Sequence, residues 1–401
     1  MTTSATDRTG QTDWPVVLVA TFAGVTIALQ MGKAAATLPL IRAEFGADLT
    51  LLATYVALIS IVAAVAGIVF GTVTRRMGAR RAGLIGLGLV AIGSAAGAEA
   101  AGVTVLLITR VIEAFGFALT VTAMPAIIQP ATQPRDRMLA LGIWATWLPA
   151  GVALMMAISF FFLDDIGWRG MFRVTALLPG LAAVILYGVT KTQVKVMASA
   201  VPATLRGVFR KDVVLTVGVF IAFSSSNLIV LAFLPTILVD EFAMSPASAA
   251  SISFTGAIAL ALTNILAGWL LHRGAGVRPL YVLTFAGMIA SAWVLLGVQF
   301  VPELRISSAI LFSLCAGVPP AIVWASIPLL AREPSEVPVL SGLIFQGAGV
   351  GQIIGPMLAG MAVETGGDWA MAFWVIAALA GAGIILSLGL SPKLSLAHRG
   401  D

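Results

Sequence analysis

The sequence predicts an all-α integral membrane protein, with twelve transmembrane helices in two pseudo-symmetric six-helix bundles. Three observations predict it. The chain of 401 residues is 59% hydrophobic and 10% charged, where soluble domains carry about 25% charged residues, and its mean hydropathy is +1.03. Apolar runs near the length of roughly 20 residues that crosses a bilayer recur along the whole chain. They lack strand alternation, and backbone groups in lipid need partners within the segment, so they read as helices. The basic residues sort to one side, and the two halves repeat each other.

The spans fall at 14–39, 50–73, 80–101, 103–129, 138–163 and 168–190, then at 212–239, 247–271, 278–299, 305–331, 337–363 and 369–391. Residues 1–13 read as a disordered polar tail and 392–401 as a second tail. The connection 191–211 holds Lys191, Lys195, Arg206, Arg210 and Lys211, which suits a solvated linker along the inner leaflet. With the N-terminus inside, the outer segments hold Arg42, Arg169 and Arg305, and Lys33, Arg110 and Arg173 fall within spans. The rest of the 23 lysines and arginines lie inside. That bias predicts two cytoplasmic termini and a plasma (inner) membrane location.

The repeat is read from matched residues. Leu38-Pro39 recurs as Leu234-Pro235, and Glu44-Phe45 as Glu241-Phe242. Pro134, Asp136 and Gly142 recur as Pro334, Glu336 and Gly342, and Trp168 with Phe172 as Trp369 with Phe373. Two like halves, 14–190 and 212–391, fit a parallel repeat.

Several function classes lack a basis. Cys315 is the single cysteine, and His272 and His398 lie at or beyond helix ends. No metal-ligand cluster, cofactor motif or nucleophile–base set is present in the sequence, so neither an enzyme nor a metal protein is expected. The net charge of +5 sits at loop ends, which does not suit nucleic acid.

The stretch Gly67-Ile-Val-Phe-Gly71-Thr-Val-Thr-Arg75-Arg76-Met-Gly78-Ala-Arg80-Arg81 joins an apolar helix to a basic turn. It resembles the signature loop between helices 2 and 3 of the major facilitator superfamily of secondary transporters. Gly71, Arg76, Gly78, Arg80 and Arg81 match that signature, and Arg75 stands where the family carries Asp. The resemblance implies a gating role for these six residues. It also implies that the loop faces span 11. Asp136 and Glu336 open spans 5 and 11, where acids suit helix N-termini. The expected closed gate therefore pairs Arg75 with Glu336, and Arg273 with Asp136.

Lys33 lies inside span 1, where an ionisable side chain marks a functional site by default. Arg110 and Glu113 are three apart in span 4, hence on one face. Arg110-Val-Ile-Glu113-Ala114-Phe-Gly116 is similar to the superfamily's span-4 motif. Because spans 1, 4, 7 and 10 line the family's cavity, the resemblance implies that Lys33, Arg110 and Glu113 surround it. Two cations against one carboxylate favour an anionic or polar substrate, and Glu113 is the expected proton carrier. Gln30, Asn227 and Gln346 are expected to add hydrogen bonds, and Trp144 an aromatic wall. Ser224, Ser225, Ser226, Asn264, Gln352, Tyr55, Trp147 and Trp324 are further polar or aromatic candidates within spans.

The resulting expectation is a secondary transporter of a small solute, working by alternating access, either coupled to protons through Glu113 or, if Arg110 keeps Glu113 ionised, by exchange or facilitated diffusion; a monomer suffices. Gly32-Lys33, Leu38-Pro39-Leu40-Ile41-Arg42 and the Trp147-Leu-Pro149-Ala-Gly151 pattern look loosely like the cyanate and nitroimidazole permease group. Gly342, Gly351, Gly355-Pro356, Ala359 and Gly360 resemble the glycine–proline motif of drug–proton antiporters, moved from span 5 to span 11. A drug or metabolite exporter is therefore the alternative. A transporter-like membrane sensor is the alternative of another class.

Overall fold

The computed structural model describes residues 11–46, 49–190, 208–244, 246–297 and 301–391. The polar tails before residue 11 and after 391, and most of the 191–211 connection, lie outside the described residues. The helices are α1 (Trp14–Phe45), α2 (Leu49–Met77), α3 (Ala79–Ala98), α4 (Val103–Ala131), α5 (Arg137–Ala145), α6 (Trp147–Val189), α7 (Lys211–Phe242), α8 (Pro246–His272), α9 (Val277–Leu296), α10 (Pro302–Ala316), α11 (Val318–Leu330), α12 (Val337–Gly366) and α13 (Ala370–Leu388).

These make twelve spans among the described residues. The segment Arg137–Val189 is 53 residues of apolar helix, enough for two crossings. It turns at Gly167, whose φ of 63° suits glycine, and this divides the fifth span from the sixth. The fifth span is also interrupted at Thr146, because Pro149 cannot donate to the Ala145 carbonyl. The tenth span breaks at Gly317 for the same reason, as Pro319 and Pro320 remove two donors.

Three boundaries differ from expectation. α1 runs on through Pro39 to Phe45, and α7 through Pro235 to Phe242, so the paired Leu-Pro steps lie inside helices rather than at their ends. Thr12 and Asp13, expected in a disordered tail, are docked. Thr12 Oγ1 donates to Asp136 Oδ2 at 2.6 Å, Asp13 N–H donates to the Ala131 carbonyl at 2.8 Å, and Asp13 caps α1 through Val16 N–H. The cap consumes an orphan donor of the helix start, which fixes the chain there.

The two bundles meet where backbone approaches backbone. Gly67 and Gly71 of α2 lie against Gly342 and Pro338 of α12, and a Cβ at either glycine would collide with main chain. Gly142 of α5 meets Gly268 of α8 in the same way. Small residues permit this approach where lipid gives no hydrophobic drive. Ser60 Oγ donates to Gln352 Oε1 at 2.6 Å, Trp144 meets Trp324 edge-on at 5.9 Å, and Phe117 stacks on Phe345 at 5.6 Å. By their positions along the helices, these contacts run from mid-span to the end holding Arg75–Arg81. The bundles are closed together at that arginine-rich end.

Candidate functional site

α1 and α4 bring Lys33, Arg110 and Glu113 into direct contact, buried within the N-terminal bundle rather than spread around an open cavity as the resemblance implied. Lys33 Nζ donates to Glu113 Oε1 at 2.5 Å, and Arg110 Nη1 donates to Glu113 Oε2 at 2.8 Å. Lys33 is 0% exposed and the other two 1%. Lys33 therefore does not snorkel to the surface.

The surrounding helices hold this cluster by groups that the sequence did not single out as partners. Lys33 Nζ also donates to Ser94 Oγ of α3 at 2.9 Å and lies 3.9 Å from the ring centre of Phe172 in α6. The ring face adds cation–π attraction to the ammonium. Ser94 in turn donates to the Phe172 carbonyl and meets Thr175 Oγ1 at 3.0 Å. Arg110 Nε donates to the Tyr55 carbonyl of α2, and Nη1 to the Gln30 carbonyl of α1. Gln30 Nε2 donates to the Thr175 carbonyl at 3.0 Å. The cluster is the polar centre of the N-terminal bundle and draws on its spans 1, 2, 3, 4 and 6.

Three buried polar atoms around it have no partner among the described residues: Arg110 Nη2, Gln30 Oε1 and the Tyr55 hydroxyl. Two of these are donors. Lys33, Arg110 and Glu113, with their ordinary charges, sum to one positive charge in a place without water exposure. A buried charge is costly unless paired and fully hydrogen-bonded.

The other expected substrate residues lie elsewhere. Trp144 is fully buried, stacked on Trp147 at 5.4 Å, with its indole N–H unpartnered among the described residues. Gln346 Oε1 accepts from Ile68 N–H at 3.2 Å, so it ties α12 to α2. Asn227 is half-buried on α7, and Ser225 beside it packs against Gly355 of α12. Glycines on two sides of α12 are thus occupied by close packing, Gly342 on α2 and Gly351 and Gly355 on α7, all meeting neighbouring backbone. Asn264 is buried on α8, with both amide atoms unpartnered among the described residues.

The gate differs from the expected pairing. Arg75 Nη2 reaches Glu333 Oε1 at 3.1 Å rather than Glu336. Pro334–Glu336 form a 3-10 turn that folds Glu336 inward, where its Oε2 accepts from Arg332 N–H at 2.9 Å and from Arg210 at 3.1 Å. Glu333, at the outside of the turn, is left to face α2. The Arg273–Asp136 pair does not form either. Arg273 lies over the Trp269 ring at 4.3 Å, and Asp136 is taken by Thr12, with Arg135 at 3.7 Å. Gly78 has a φ of 85°, as the turn requires. Arg80 donates to Thr190 Oγ1 and to the Tyr187 carbonyl within its own bundle, while Arg76 and Arg81 are exposed.

Twelve apolar spans in two bundles, with an ionic cluster buried inside one of them, define a multi-pass membrane protein built like a carrier. The profile described as Major Facilitator Superfamily matches residues 20–236 and 215–400. The chain belongs to the Major Facilitator Superfamily, and it is a transporter of that superfamily. No curated protein sequence matches it. Among solved structures it is similar to the proton:xylose symporter XylE, at 16% identity and a TM-score of 0.79, over 95% of this chain and 98% of that one. The fucose:proton symporter FucP of E. coli is similar at 13% identity and 0.76, over 93% and 97%. The human organic anion transporter MFSD10 (TETRAN) is similar at 14% and 0.74, over 94% and 99%. At these identities the likeness speaks for the fold.

Proposed function

We propose that the protein is a proton-coupled carrier of a small anionic or polar solute, working by alternating access across the plasma (inner) membrane with both termini in the cytoplasm. The observation that carries this reading is the buried Lys33–Glu113–Arg110 cluster. As drawn, Glu113 occupies both cations. A proton on Glu113 removes its charge and releases Lys33 and Arg110 for an incoming anion, so proton and anion enter the site together. Arg110 Nη2 and the Tyr55 hydroxyl are donors already lacking an acceptor, and they suit the same ligand. Substrates of the size handled by a cyanate-type permease are the first to try. Gln30 spends its side-chain amide N–H on the Thr175 carbonyl and its backbone carbonyl on Arg110, so its part is to position Arg110. Trp144, Asn227 and Gln346 stand outside the charged cluster and serve the passage and its walls.

On this reading the arginine-rich end is the inner face, and its closure makes this an inward-closed state. Gly71, Arg75, Arg76, Gly78, Arg80, Arg81, Asp136, Arg273 and Glu336 are the gating set on this reading, with Arg75–Glu333 and Arg210–Glu336 as its present pairs. The exporter reading rests on the α12 glycines, of which Gly342, Gly351 and Gly355 are used in packing and Gly360 is not.

The test is uptake of a panel of small anions into proteoliposomes, with and without an imposed pH gradient. Native protein should accumulate at least one anion along the gradient, and Lys33→Ala and Glu113→Gln should not. Normal uptake by both variants would remove the cluster from the transport mechanism.

A further inference from the structure

A cavity with mostly apolar walls and a few polar groups lies away from the buried cluster, at the closed, arginine-rich end. It has a volume of about 230 Å³, and its polar lining comes from Thr74, Arg75, Gln129, Arg137 and Ser335. Pockets for drug-sized ligands start near ~300 Å³, so this one suits something smaller. Two arginines reach it from different spans, Arg75 from α2 and Arg137 from α5. Neither Asp nor Glu is among the lining residues.

Arg137 is not used up by the protein. Its Nη2 makes one long contact, 3.4 Å to the Thr132 carbonyl, and its buried Nε has no acceptor among the described residues. A guanidinium presents a fork of donors that fits an oxyanion. Arg75 keeps Glu333 at the rim on its Nη2. Pro334, Ser335 and Pro338 close the cavity from the C-terminal bundle, and the other lining residues belong to the N-terminal bundle.

We propose that this cavity binds a small oxyanion of the phosphate type, held by Arg75 and Arg137. Because both bundles form its walls, the site exists complete only while this end is shut. A ligand that binds one of two conformations shifts the equilibrium toward that one. The oxyanion therefore acts as a clamp on the closed end, distinct from the transported solute. Its source is either free phosphate or the phosphate of an anionic lipid headgroup.

The experiment uses the full chain in lipid nanodiscs and follows thermal unfolding. Sodium phosphate is titrated against sodium chloride at matched ionic strength, in discs of phosphatidylcholine and in discs containing phosphatidylglycerol. A rise in Tm with phosphate in phosphatidylcholine discs assigns free phosphate. A rise with phosphatidylglycerol alone assigns the headgroup. In either case Arg137→Gln should weaken the half-saturating concentration at least tenfold, and Arg137→Lys should weaken it less. Ser335→Phe fills the cavity and leaves both arginines unsubstituted, and it decides the matter if Arg137→Gln does not fold. Equal stabilisation in native protein and Ser335→Phe, or no stabilisation beyond chloride in either lipid, overturns the proposal. Because the readout is binding, failure of anion uptake leaves this result standing.

Discussion

The two six-helix bundles share a chain path but differ in what lies at their centres. The N-terminal bundle buries a lysine, an arginine and a glutamate in contact with one another. At mid-span the C-terminal bundle buries Ser224, Ser225, Ser226 and Asn264, all neutral, and its buried charges, Arg305 and Glu336, lie at helix ends. Spacing from Leu38-Pro39 to Leu234-Pro235 puts Ile229 where Lys33 stands, and Ile229 is buried among apolar neighbours. The 200-residue offset of Pro134 and Pro334 puts Ile310 and Ser313 where Arg110 and Glu113 stand. Sequence repetition has thus kept the elements that shape helices and their contacts, and the acids at helix ends such as Glu44 and Glu241, and has not kept the charges at the bundle centre.

That contrast can be broken by substitution. The largest effect is expected from Glu113→Gln, which leaves two buried cations facing each other. Removing one partner of a buried pair costs about 3–5 kcal/mol, measurable as a fall in Tm together with lost uptake. Lys33→Met leaves the Arg110–Glu113 pair neutral overall. It should lose uptake with a much smaller change in Tm, and a fall as deep as that of Glu113→Gln would deny the charge imbalance.

Next in size is Gly342→Val, which forces a side chain into the α2 backbone. Overpacking costs roughly 1–3 kcal/mol, and the closed end should open, seen as faster labelling of a cysteine placed there. Arg75→Ala should change stability by about 0–1 kcal/mol, since Glu333 is half in water. Exchange of the two as Arg75→Glu with Glu333→Arg should restore whatever transport the single change loses. At the neutral centre of the C-terminal bundle, Asn264→Leu removes an amide that lacks partners, and stability should hold or rise by about 1 kcal/mol.

The smallest expected effect concerns Glu44 beyond the membrane core. Its carboxyl is held below the ordinary value of 4.5 by the Trp168 indole N–H first, then by Arg169. A carboxylate with a lowered folded-state value contributes stability above the ordinary range and loses it as pH falls through the folded one. Trp168→Phe should therefore narrow the stability difference between pH 6 and pH values below 4.5, followed by unfolding scans.

Much of this was legible because it is written in local pattern. Span lengths follow from apolar runs, and the Arg110–Glu113 contact follows from a spacing of three on a helix. Lys33 declared itself as a charge with no reason to be in lipid except a partner. What was hidden depends on how helices rotate against one another. Ser94 is one small polar residue among Gly93, Ala95 and Ala96, and nothing in that run marks it as a lysine's partner. Glu333 and Glu336 are equally acidic in sequence, and a single 3-10 turn decides which faces Arg75. Thr12 looked like tail until its hydroxyl met Asp136. The breaks at Thr146 and Gly317 were readable from Pro149, Pro319 and Pro320, given attention to the donors that prolines remove.

The excess positive charge in the N-terminal bundle has an electrical consequence. On the proton-coupled anion mechanism proposed above, the empty carrier with Glu113 ionised would hold one uncompensated charge, and with a proton and an anion aboard the sum would be unchanged. A complete cycle then moves no net charge, so the concentrations of proton and solute alone set its end point. Each reorientation nevertheless carries that charge through part of the membrane field, which acts at about 2.3 kcal/mol per 100 mV for a full crossing. A membrane potential, negative inside, would therefore draw both the empty and the loaded carrier toward the inward-open state. It would change how fast the protein works without changing how far it can concentrate its substrate.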